Sequence, residues 1–173
     1  MEILENKAQW SAEFRSGWLK LLRQSGEVNW SIYQHPRNSE TPGVPGIQLS
    51  QSRLKLISSA GAYLRDSQDP FDDANKLGDY TLRTFPTSTE FDALAYAHGH
   101  YDHRMIERDA QVALPLRLLE ELVATGEVGE LAPSVISFMG YQPDSARVVD
   151  ELVPQVLDIA RSEQVEAALL APM

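Results

Sequence analysis

The sequence predicts an α/β fold, a mainly parallel sheet flanked by helices in Rossmann-like or flavodoxin-like layers, with an N-terminal amphipathic helix in front of it. Three observations predict this class. Short apolar runs bounded by turn residues recur at Leu54 to Ser58, Val135 to Met139 and Ala167 to Leu170. Helical periodicity fills the intervals between the later runs, and the resulting order of strand, helix, strand, helix, strand is that of a helix-covered parallel sheet.

Taken in order, Trp10, Phe14, Trp18, Leu21 and Leu22 recur at spacings of three and four, which predicts one helix from about Lys7 to Gln24 with an aromatic face. That face requires a cover, either the body of the same chain or a partner. Gln34 to Gln51 holds Pro36, Pro42, Gly43, Pro45 and Gly46 among polar residues and reads as an extended connection. The expected division is therefore residues 1–50 as helix and connection, and 51–173 as one α/β unit. Leu54 to Ser58 reads as a buried strand, Tyr80 to Phe85 as an alternating strand stopped by Pro86, and Phe91 to Ala97 as a third. Pro115 suits a first helical turn, and Leu116, Leu119, Leu122 and Val123 form an apolar face that stops before Gly126. Asp144 or Ser145 can cap a helix carrying Val148, Val149, Leu152, Val156, Leu157 and Ile159, which Pro154 should kink or split.

Composition narrows the function. The chain has 173 residues, 43% of them hydrophobic and 23% charged, enough for one domain with a proper core. Its 25 acidic against 15 basic residues give a net charge of -10, which argues against nucleic acid or anionic membrane surfaces as partners. No apolar stretch approaches the roughly 20 residues needed to cross a bilayer. The opening MEILENKAQW has no basic region leading into an apolar one, so a cytoplasmic location is expected. There is no cysteine, so these residues supply no thiolate for catalysis, metal binding or redox exchange.

In parallel α/β sheets ligands collect beyond the carboxyl ends of the strands. Three loops fall at such ends: Ser58, Ser59, Ala60 and Gly61; His98 to His103; and Gly140 with Tyr141. Read together, their surroundings resemble the B-component family of the glycine, sarcosine, betaine and D-proline reductases over about Ile47 to Met173. The matching pieces are Leu56-Ile57-Ser58-Ser59-Ala60-Gly61-Ala62-Tyr63-Leu64, Asp69-Pro70-Phe71-Asp72 and Gly78-Asp79-Tyr80-Thr81-Leu82-Arg83-Thr84-Phe85-Pro86. They continue through His98 to Asp102, Asp109, Pro115-Leu116, Glu121-Leu122, Gly126-Glu127-Val128-Gly129 and Phe138-Met139-Gly140. Each piece is short; their shared order and spacing carry the resemblance.

The resemblance implies an α/β subunit that helps to cleave a carbon–nitrogen bond reductively beside a second component bearing a pyruvoyl group. It also implies a redox selenocysteine or cysteine just beyond the strand at Ala167 to Leu170. With no such residue here, the expectation is a family fold and pocket whose redox group comes from another polypeptide, or a different reaction on the same pocket. The substrate expected is a small amino-acid-like molecule. Its contacts would be Ser58, Ser59 and Gly61 as backbone donors, Arg83 as a carboxylate clamp, and Gly140 and Tyr141. The catalytic residues implied are His98, Asp102 and Asp109. For Arg83 a structural ion pair with Asp79, Asp102 or Asp109 is the plainer alternative, and Asp69, Asp72 and Asp73 read as a solvated acidic loop.

Three of the four histidines fall between His98 and His103, and His98, His100, Asp102 and His103 spell the HxHxDH spacing of the metallo-β-lactamase superfamily. No later histidine completes that site, so that family is set aside. A different site remains open, in which these four residues hold a divalent zinc, iron, manganese or nickel ion for a lyase or hydrolase reaction. The alternative is metal-free, with His98 a hydrogen-bonded or proton-shuttling residue and the others solvated. A further reading is non-catalytic: a scaffold docking on another protein, or on a second copy, through its tryptophan-striped helix.

Overall fold

The strand β1 (Arg53–Ser58) is buried over its last five residues and organises the sheet. The computed structural model describes residues 4–40, 46–97, 99 and 102–173. β1 pairs in parallel with β7 (Ala167–Ala171) along its length, from Leu54 opposite Ala167 to Ser58 opposite Ala171. Its other edge takes two short parallel strands, β5 (Glu130–Leu131) and β6 (Ser134–Ser137). Pro133 stands between them; with no N–H to give the ladder, it divides what would be one strand into two. The outermost strand on that side, β3 (Arg83–Pro86), runs antiparallel to β6. The sheet is therefore mixed but mostly parallel, as the α/β pattern predicts, and a separate antiparallel hairpin joins β2 (Ala62–Leu64) to β4 (Leu94–Tyr96).

Alternation along β1 sends Leu54 and Leu56 to one face, where they meet Phe85, Val135 and the helix α4 (Leu116–Ala124) through Leu116 and Leu119. This main core also takes Ile106 from the short helix α3 (Arg104–Arg108). The helix expected after Asp144 is split as Pro154 requires: α5 (Ser145–Arg147), a π-turn over Val148–Leu152, then α6 (Val153–Ser162) with the proline in its first turn. Asp144 caps α5, its carboxylate accepting the Arg147 N–H.

At the N-terminus the single expected helix is two, α1 (Lys7–Ser16) and α2 (Trp18–Ser25), divided where Gly17 leaves helical geometry. The change of direction moves Leu21 out to solvent, while Phe14, Trp18, Leu19 and Leu22 close on Ala146 of α5. Trp30 stacks on Trp18 at 5.3 Å and Tyr33 meets Trp18 edge-on at 4.7 Å, so the following segment of the same chain covers the stripe. Ion pairs of Lys7 and Arg15 with Asp150, and of Arg23 with Asp144, edge the contact. No helix among the described residues is long and apolar enough to cross a membrane.

On the opposite face of β1 the Lys55 ammonium is fully buried, 2.6 Å from the Glu163 carboxylate just after α6 and 2.7 Å from the Ser134 hydroxyl of β6. Ser134 in turn donates to Glu163 at 2.6 Å. Burial draws the Lys55 ammonium below its usual value, and the bond to the adjacent carboxylate works against that. Burial works to raise the Glu163 carboxyl, but the Lys55 and Ser134 bonds outweigh it and leave it below its ordinary value. The triad therefore ties β1 and β6 to the α6–β7 junction. Replacing Lys55 with Met strands a carboxylate and should cost about 3–5 kcal/mol in urea melts, most of it recovered in a Lys55→Met, Glu163→Leu double variant. The Glu163 contribution is present above the ordinary carboxyl value near 4.5 and is lost as pH falls through its lower folded value, so Glu163→Gln should flatten that part of the acid dependence.

Candidate active site at the strand-end rim

The parallel registers bring the carboxyl ends of β1, β6 and β7 to one rim. A pocket of about 370 Å³ opens there, lined by Ile57, Ser59, Phe138, Gly140 and Leu170 to Met173. Ser59 donates its N–H to the Ala171 carbonyl at 3.2 Å, and its hydroxyl accepts the Met173 N–H at 2.8 Å. Gly61 has a left-handed φ of 67°, which turns the chain so that its N–H reaches the Phe138 carbonyl while its own carbonyl accepts the Ala97 N–H. The entrance to the histidine loop is thereby fixed to the rim. Ser58 is spent on structure: fully buried, it donates to the Ala113 carbonyl and accepts the Ala60 N–H.

Below the rim Phe71, 2% exposed, packs with Ala97 and Met139, and Tyr63 and Tyr141 pack against them. Phe71 lies in residues 65–82, a connection without strand or helix, longer than the roughly 12–15 residues beyond which such loops are usually functional or disordered. This one is bound down on both sides. The Asp79 carboxylate accepts the Asp72 and Thr81 N–H groups at 2.9 and 2.8 Å and the Thr81 hydroxyl at 2.5 Å. Burial works to raise the Asp79 carboxyl, and those bonds together with the Arg83 charge hold it below its usual range. Tyr141 donates to the Lys76 carbonyl and Gln142 to the Asp79 carbonyl. Arg83 forms no ion pair with Asp79, Asp102 or Asp109 among the described contacts; it donates to the carbonyls of Asp69, Pro70 and Leu82 and to the Thr81 hydroxyl.

Beyond Ala97, His98 and His100 lie outside the described residues. Asp102 is exposed and closed on itself by Arg104, whose guanidinium keeps the carboxyl below its usual value. Asp109 accepts the Gln111 N–H at the following turn. His103 and Asp109 line a second, larger cleft of about 660 Å³ between α3 and the β2–β4 hairpin, with Arg65, Phe91, Tyr96 and Arg108. Burial pushes the Tyr96 phenol up to about 12, and its hydroxyl has no partner among the described residues. Among those residues no three His, Asp or Glu side chains are grouped to hold a metal ion. Of the candidate residues, Ser59 and Gly140 thus line the rim pocket, Gly61 is tied to it through the Phe138 carbonyl, Tyr141 packs below it with Phe71, Arg83 stands behind Phe71, and His103 and Asp109 turn to the neighbouring cleft. Sequence reading missed Phe71, although an aromatic residue isolated among aspartates was the available signal.

Two glycine turns and a buried aromatic residue stand at the carboxyl ends of parallel strands in an α/β fold. The chain belongs to the glycine/sarcosine/betaine reductase selenoprotein B family, whose pattern matches residues 20–172. It is 26% identical over 123 residues to D-proline reductase subunit gamma of Acetoanaerobium sticklandii, covering 71% of this chain and 49% of that one. It is 27% identical over 119 residues to sarcosine reductase complex component B subunit beta of Peptoclostridium acidaminophilum, covering 67% and 27%. Glycine reductase complex component B subunit gamma of Carboxydothermus hydrogenoformans is 31% identical over 99 residues, 56% of this chain and 22% of that one. The chain thus spans about half the length of these relatives or less. No solved structure matches it.

Gly78 tests the seating of the 65–82 loop. At φ +81°, a Cβ there would lie 2.7 Å from the Tyr141 carbonyl oxygen. Gly78→Ala should therefore lose at least about 1 kcal/mol of stability in denaturant melts, more than an ordinary surface Gly→Ala change.

Proposed function

We propose that this chain is a component-B-type reductase subunit that binds a small amino-acid-derived compound at the strand-end rim and acts with a partner polypeptide in the cytoplasm. The observation that carries the reading is the pocket of Ser59, Gly140 and Leu170 to Met173, set where three parallel strands end. Ser59, Gly61, Gly140 and Tyr141 would frame the ligand. His98, next to the rim-bound Ala97, would move the proton, with Asp102 and Asp109 as the neighbouring carboxylates. Reductive cleavage of a carbon–nitrogen bond consumes two electrons, and imidazole, carboxylate and guanidinium supply protons and charge but no electrons. A thiol or selenol outside these 173 residues would supply them.

A partner also suits β7, which pairs only with β1 among the described strands and exposes 68% of Leu170 beside the pocket. An apolar edge strand with one side left open invites another chain. The relatives' names place two of those described above in reductase complexes.

The test is thermal melting of the purified chain with glycine, sarcosine, betaine and D-proline. A ligand present at 100 times its Kd adds about 2.7 kcal/mol, which raises Tm by roughly 5–10 °C in a chain of this size. Gly140 lines the pocket and has no left-handed φ, so Gly140→Leu should fill the pocket and abolish the shift. No shift with any of the four, or an undiminished shift in Gly140→Leu, rejects the reading.

A further inference from the structure

We infer that Arg83 is a positioning residue, which clamps the 65–82 loop and holds Phe71 under the rim, and does not itself grip a substrate carboxylate. The inference deepens the reading above and rests on it for the identity of the ligand. Four of the five N–H groups of Arg83 already have acceptors. Nε donates to the Asp69 carbonyl at 2.9 Å, Nη1 to the Thr81 hydroxyl and the Leu82 carbonyl at 2.9 Å each, and Nη2 to the Pro70 carbonyl at 3.3 Å. The guanidinium therefore holds the loop at two separate places, Asp69 and Pro70 in its first half and Thr81 and Leu82 at its exit. A carboxylate asking for its usual two parallel bonds would have to displace some of these.

The plane those bonds fix lies over Phe71, with Cζ 4.4 Å from the ring centroid. Phe71 in turn packs with Ala97 and Met139, the two residues from which the histidine loop and the Gly140 turn depart. Arg83 thus reaches the rim through one aromatic ring. The fixed fork of a guanidinium meets four acceptors at separate places in a way that the single ammonium of lysine does not.

The experiment combines hydrogen exchange with ligand binding on the full chain. In Arg83→Ala the amides of Asp72 and Ala97, bonded to Asp79 and Gly61, should exchange at least tenfold faster, while those of Leu56 and Val135 in the core keep their native rates. Arg83→Lys, which keeps a charge near Phe71 but not the bonds to the loop, should restore little of this protection. Calorimetry with whichever of the four ligands binds, and with its carboxamide analogue, separates the two roles. A clamp predicts that Arg83→Ala weakens both by the same factor, about tenfold, and that Phe71→Leu does likewise with no additive loss in the double variant.

A substrate clamp would lose the carboxylate ligand alone and leave the exchange of Asp72 and Ala97 native; that result overturns the inference. Should Arg83→Ala not fold, Phe71→Leu carries the same comparison, and native exchange at Ala97 in that variant also overturns it. If the native chain binds none of the four ligands, the functional reading falls, while the exchange measurement still decides the clamp.

Discussion

Parallel pairing of β1 with strands on both of its edges is the constraint on which the rest depends. Ser58 lies opposite Ser137 on one side and Ala171 on the other, so three distant segments stop at the same height. Just past that height the regular ladder gives way to single backbone bonds, Ser59 to Ala171 and Phe138 to Ser58, and Ser59, Phe138, Gly140 and Ala171 to Met173 share a pocket there. A slip of one residue in either register would also turn each strand over, sending Leu56 to the polar face and Lys55 into the apolar core.

Such a sheet needs its registers pinned, and the two faces of β1 do this differently. On one, Leu54 and Leu56 enter a continuous apolar core with α4. On the other, the Lys55 ammonium has acceptors only where β6 and the end of α6 stand in the native arrangement. A buried pair of this kind adds little net stability over an apolar replacement and is costly to break on one side. Its effect here is to penalise any other placement of β7, the strand that completes the rim.

The parts legible in the sequence were those written in local patterns: the apolar run of β1, the α4 stripe, the Asp144 cap, the split at Pro154 and the short strand β7. Glycines at turn positions also marked the rim, since Gly61 needs a left-handed backbone that few other residues adopt. What escaped depends on partners far away in the chain. Glu163 lies 108 residues from Lys55, and nothing near either predicts the bond. The antiparallel direction of β3 follows from its place beside β6, and Gly17 breaks the N-terminal helix because Phe14 and Leu22 must converge on Ala146. The bonds of Arg83 to the Asp69, Pro70 and Leu82 carbonyls were not legible either, because they belong to a loop whose path no periodicity encodes. The family resemblance, by contrast, was readable from the order of short motifs, and the family match bears it out.

The most direct measurement of the central claim is an amide NMR titration of the isotopically labelled chain with sarcosine or D-proline. If the strand ends form the ligand site, shift changes will concentrate at Ser59, Gly61, Ala97 and Gly140, with the β2–β4 cleft residues Arg65 and Ala110 unmoved. Changes confined to Arg65, Tyr96 and Ala110, or none at the rim at saturating ligand, would contradict it.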